Sequence, residues 1–139
     1  MKNAEFLAAV EYLGYTSWYV AKLLNVKELD VRYQMAGDWP VSPEAERLAN
    51  DLVAGLHADI AKAMEAFEYV DDPSSVLAIL PYYRGQREYL EVNGGEGYFK
   101  YGNTLSREIA QECQALGAAV SYAYPDEPGF TTALRLVKR

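Results

Sequence analysis

Apolar positions Phe6, Leu7, Val10 and Leu13 fall three or four residues apart, which predicts a helix over 3–13 that Gly14 stops. Thr16 or Ser17 can cap a second helix whose inward residues are Val20, Ala21 and Leu24. Asn25 ends it, because asparagine tolerates the left-handed conformation of a tight turn. Val26 is then expected to plug the turn, and a third helix from about Lys27 to Ala36 turns Val31 and Met35 inward before Gly37 closes it. Next comes a start signal: Ser42 as N-cap, Pro43 in the first turn, and Glu44 and Glu46 complementing the helix dipole. From there Leu48, Leu52, Leu56, Ile60, Met64 and Phe67 form a stripe to about Tyr69, a helix of about 27 residues and roughly 40 Å.

The pattern changes after DDPSS, residues 71–75. VLAILPYY has the continuous apolar character of a buried strand, with Pro81 near its end. NGGEG reads as a loop, and Asn103 or Thr104 is expected to cap a helix running through Leu116, with Leu105, Ile109, Cys113 and Leu116 on one face and Gly117 as its stop. AAVSYAY and FTTALRLV read as two further strands around a PDEPG turn.

These elements predict an α+β protein: an all-α helix-turn-helix head (1–41), a long connecting helix (42–70), and a small α+β unit (71–139) with two or three strands. A head of about forty residues cannot cover so long a stripe. Small residues Ala54, Ala58 and Ala61 on the other side of the helix would admit a neighbour, so a second subunit is the expected cover.

Composition narrows the function classes. Half of the 139 residues are hydrophobic and 24% are charged, the balance of a folding domain. No apolar run reaches the roughly 20 residues that span a bilayer, and MKNAEFLAAVEYLG lacks a signal-peptide core, so a cytoplasmic location with no membrane partner is expected. One cysteine, Cys113, and one histidine, His57, exclude an internal disulfide and the usual Cys/His zinc sites; neither metal nor cofactor is expected. Net charge is −7, unpromising for a polyanion partner, but it is unevenly spread. Residues 1–41 carry four bases against five acids, residues 42–80 two against eight, and residues 81–139 seven against seven. The acidity lies in the middle third.

The segment LGYTSWYVAKLLNVKELDVRYQMAG resembles the lambda-repressor-like (Cro-type) helix-turn-helix family at Leu13, Gly14, Thr16, Val20, Ala21, Leu24, Val26, Val31 and Gly37. It departs from that family at Asn25, where glycine is usual, and at Gln34 and Met35, where an aromatic and a glutamate are frequent. The resemblance implies that the second helix of the pair enters a major groove while the first holds the backbone. The DNA-facing candidates it implies are Thr16, Ser17, Lys22, Lys27, Glu28, Asp30, Arg32 and Tyr33. A carboxylate can accept from cytosine N4, but two acids beside two bases remove much of the phosphate attraction and make a monomer a weak binder. The overall layout, with its Tyr83-Arg84 pair, is similar to regulators associated with anti-CRISPR operons. That likeness implies a homodimer bound to an inverted-repeat operator, with transcriptional autorepression in a phage or mobile-element setting.

A second constellation interleaves bases with aromatics: Tyr82, Tyr83, Arg84, Arg87, Tyr89, Tyr98, Lys100 and Tyr101. It could stack single-stranded nucleic acid, but a dimer interface built on Leu56, Ile60, Tyr82, Tyr83, Arg84 and Tyr89 is the favoured reading. Glu88, Glu91 and Glu96 have no histidine near them in sequence, and NGGEG lacks the Lys-Ser/Thr of a phosphate loop, so no enzyme is expected. The competing class is a protein-binding module, an antitoxin or phage-encoded inhibitor that engages a host protein through its acidic long helix while keeping the helix-turn-helix frame.

Overall fold

A computed structural model describes residues 1–139. The fold is α+β, with an N-terminal helical region and C-terminal strands. The helices are α1 (Asn3–Leu13), α2 (Ser17–Leu24), α3 (Glu28–Ala36), α4 (Pro43–Met64), α5 (Gln86–Val92) and α6 (Phe99–Ala115), and the strands are β1 (Val76–Pro81), β2 (Ala119–Ala123) and β3 (Arg135–Lys138). Two compact units divide the chain, residues 1–56 and 57–139. The boundary falls inside α4, between Leu56 and His57.

In the first unit α1 and α2 both pack on α3. Phe6, Val10, Val20, Ala21 and Val31 form its core, closed by Ala45 and Ala49 from the start of α4. The turns follow the expected chemistry: Gly14, Asn25 and Gly37 are left-handed, with φ of 79°, 56° and 91°. Asn25 is the one non-glycine residue with positive φ. Val26 does not plug the turn. It is 44% exposed, and its N–H donates to the Ala21 carbonyl.

Gln34 is buried where the hydrophobic pattern marks no inward position. Its Oε1 accepts the Ser42 N–H at 2.8 Å, and its Nε2 donates to the Asp30 carbonyl at 3.3 Å. This side chain ties the end of α3 to the start of α4, where Ser42 Oγ caps the helix by accepting the Ala45 N–H.

In the second unit β1 is central, in the order β2-β1-β3. It pairs parallel with β2, Leu77 opposite Ala119 and Pro81 opposite Ala123, and antiparallel with β3, Val76 opposite Lys138. A parallel pair needs a crossover, supplied here by α5 and α6. Buried Ala78, Leu80, Ile109, Ala110 and Cys113 form the core, and Ile60, Ala63, Met64 and Phe67 pack against it.

The apolar stripe of α4 is therefore shared out within one chain. Ala45, Ala49 and Leu48 serve the first core, while Ile60 and Met64 serve the second. The long helix is also shorter than expected, with 22 residues followed by a 3-10 turn at Glu65–Phe67. Excess apolar area on α4 consequently supplies no argument for a second subunit. Leu56 is fully buried in the single chain, which withdraws it from the dimer interface, and the half-buried Ile60 packs against the second core.

One element is added to those expected, and one expectation changes. The segment after Arg84 forms α5, whose first turn is held by Glu88: its carboxylate accepts the Arg84 N–H at 2.9 Å. Meanwhile α6 begins at Phe99, so Asn103 and Thr104 lie inside it and cap nothing. Asn103 is spent on a long-range clamp, its Oδ1 accepting the Tyr83 N–H and its Nδ2 donating to the Tyr83 carbonyl, both at 2.8 Å. At the far end Leu116 lies outside the core face at 48% exposure.

Candidate nucleic-acid interface

The α2-turn-α3 segment holds all eight DNA-facing candidates, and its hydrogen bonds sort them. Thr16 is the N-cap of α2, its Oγ1 accepting the Tyr19 N–H at 3.2 Å, which leaves the hydroxyl proton free to donate outward. Ser17 Oγ donates to Glu28 Oε1 at 2.9 Å. That bond joins the first residue of α2 to the first residue of α3 and holds one of the two troublesome carboxylates inside the motif.

The second carboxylate also leaves the outward face. With Val31, Gln34 and Met35 turned into the head, 100° per residue places Leu29, Tyr33 and Ala36 on the opposite side of α3, with Arg32 beside them on one flank. Asp30 falls on the flank, where it borders a cleft with Leu24, Val26, Gln34 and Trp39. Asp30, two residues from Arg32, lies on the other side of a 3.6-residue helix, whereas Glu28, four residues away, shares the side of Arg32 and is turned from it by its bond to Ser17.

What projects is mixed. Lys27 precedes α3 and is exposed, as is Arg32. Leu29, which the periodicity leaves unassigned, is 50% exposed at the centre of this face. Tyr33 is half-buried because its ring packs on Trp39, with centroids 4.8 Å apart. On α2, Trp18 is 56% exposed and Lys22 sits over its ring at 5.5 Å. Trp18 and Leu29 are the residues of this surface that sequence reasoning missed. Their signal was available as apolar side chains out of phase with the core positions.

The aromatic-basic constellation of the second unit separates into an inner and an outer set. Tyr83 is buried and its backbone is clamped by Asn103, so it belongs to the core and not to an interface. Tyr89 meets Tyr83 edge-on at 4.8 Å and lies against Gly97 and Gly102. Its ring is half-buried in that packing. Tyr82 and Arg84 remain at the surface with three residues brought in by the fold: Tyr122 packs on Tyr82 at 5.3 Å, the Arg84 guanidinium covers the Tyr124 ring at 4.5 Å, and Arg107 donates to the Tyr82 hydroxyl. Arg84 also bridges Glu88 and Asp126, whose carboxylates raise its already high pKa; in return Arg84 lowers the pKa of Glu88.

No group of three His, Cys, Asp or Glu side chains is placed to hold a metal ion, and no helix is long and apolar enough to cross a membrane. No protein-family model matches the chain, and no curated protein matches it.

Proposed function

We propose that the chain is a double-stranded-DNA-binding regulator that reads a major groove with the outward face of α3 and represses transcription from its own operator as a homodimer in the cytoplasm. The observation that carries this reading is the sorting of charge on α3: Lys27 and Arg32 project, while Glu28 is bonded to Ser17 and Asp30 lies on the flank. Arg32 can pair with guanine O6 and N7 or with phosphate, Lys27 with phosphate, and Leu29 with a thymine methyl group. Thr16 and Lys22 supply backbone contacts from α2. Self-association falls to the outer aromatic-basic set, Tyr82, Arg84, Arg107, Tyr122 and Tyr124, residue types enriched at interface cores. Fluorescence anisotropy with the duplex upstream of its own gene tests the reading. Arg32→Ala is expected to weaken binding by about tenfold or more, and equal binding by the variant would remove α3 from the interface.

One observation favours a different class. Trp18, Leu23, Val26 and Leu29 are each 44% exposed or more on α2, α3 and the turn between them, which suits a protein partner. Association through such a surface would persist as salt rises, whereas DNA binding would not.

A further inference from the structure

The second unit contains a cavity of about 650 Å³, within the range of small-molecule sites. It opens beside the C-terminal end of β1, between the last turns of α4 and the first half of α6, with residues 132–134 along one side. Ligands of parallel sheets collect at this end of the strands, because the chain diverges there on leaving the sheet. The walls are apolar, with Leu80, Leu105, Ile109 and Leu134 providing the largest side chains.

A few polar groups converge on this apolar space. Tyr83 is 3% exposed, and its hydroxyl accepts from Asn93 Nδ2 at 3.3 Å, which leaves its own O–H to donate. Burial pushes its pKa up, with the Asn93 hydrogen bond opposing, so at neutral pH the phenol keeps that proton. Ser106 is equally buried and donates to the Pro81 carbonyl at 2.6 Å, so its oxygen is left as an acceptor. The mouth carries Asp59, Glu65 and Glu68 against Lys62 alone. Such a rim repels anions and favours neutral or cationic molecules.

We infer that this cavity is a binding site for a small aromatic molecule, neutral or carrying an amine, whose ring lies against Leu80, Leu105 and Ile109 and whose polar atoms meet the Tyr83 and Ser106 hydroxyls. The inference concerns residues 57–139 and stands whether or not the head binds DNA.

Three probes with one ring system and different charge test it: indole, tryptamine and indole-3-acetate, each titrated to millimolar concentration into the full ¹⁵N-labelled chain. Indole and tryptamine are expected to shift the amides of Leu80, Gly102 and Ile109, with tryptamine the tighter and indole-3-acetate at least tenfold weaker than tryptamine. Ala133→Trp, at an exposed position on the rim, should abolish these shifts, and Tyr83→Phe should weaken binding about fivefold while the remaining spectrum stays that of a folded chain. Absence of shifts with all three probes, or binding unchanged in Ala133→Trp, would overturn the site. Equal affinity for all three probes would overturn its charge preference.

Discussion

At the scale of single residues, the most constrained position is Gly102. A Cβ there would stand 2.6 Å from Tyr89 Cε2, and a Cβ at Gly97 on the same ring would stand 2.9 Å away. Alanine in a helix gains roughly 1 kcal/mol over glycine, but overpacking a half-buried ring costs about 1–3 kcal/mol. Tyr89 also lies against Gly97, so the steric cost is expected to exceed the helix gain. Gly102→Ala should lower thermal stability, and an unchanged or raised melting temperature would show that Tyr89 has room to move. Cys113 makes the second residue-level prediction. It is fully buried, and burial raises its pKa from 9.0 to about 11. In the folded chain at pH 8 it should react with a thiol reagent on the order of 100-fold slower than in denaturant. Because the folded-state value is the higher one, the neutral thiol supports the fold below pH 9, and that support declines as pH climbs toward 11. Rapid labelling of the native protein would contradict the packing of α6 on β1.

At the scale of elements, local chemistry made the head legible and long-range packing hid much of the rest. Gly14, Thr16, Asn25, Gly37 and Ser42 act within a few residues of themselves, so the helix ends they set could be read from sequence. Asn25 is testable on those terms. At φ 56° Asn25→Gly should leave stability within a few tenths of a kcal/mol, while Asn25→Ala should cost about 1 kcal/mol by chemical denaturation. Equal stability of the two variants would mean that the turn is not strained. By contrast, Asn103 looked like a cap because asparagine before an apolar run usually is one. Its partner is the backbone of Tyr83, twenty residues away, and no local pattern announces that clamp. The same holds for Gln34, whose bond to Ser42 explains a buried polar residue that periodicity cannot assign. On α3 the positions of Glu28 and Asp30 were readable from the helical period, but the Ser17 bond that occupies Glu28 was not.

For the molecule as a whole, α4 was the element most easily misjudged. Its stripe is longer than either core, and a sequence alone does not reveal that two different cores divide it. The case for a dimer consequently moves from Leu56 and Ile60 to the exposed rings of Tyr122 and Tyr124 beside Arg84 and Arg107. Tyr122→Glu with Tyr124→Glu should convert a dimer to a monomer by sedimentation and weaken operator binding, since a single head meets only half of the site. A dimer that survives both changes would place the interface elsewhere.

The central claim is that the basic residues on the outward face of α3 meet DNA phosphates and base edges. Its most direct test is the salt dependence of binding to the duplex upstream of its own gene, for the native chain and for Lys27→Ala. The account predicts affinity that falls steeply between about 50 and 200 mM salt, with a logarithmic slope that Lys27→Ala makes shallower by about one for each copy bound. Binding indifferent to salt, or no binding by the folded protein at about 50 mM salt, would contradict it.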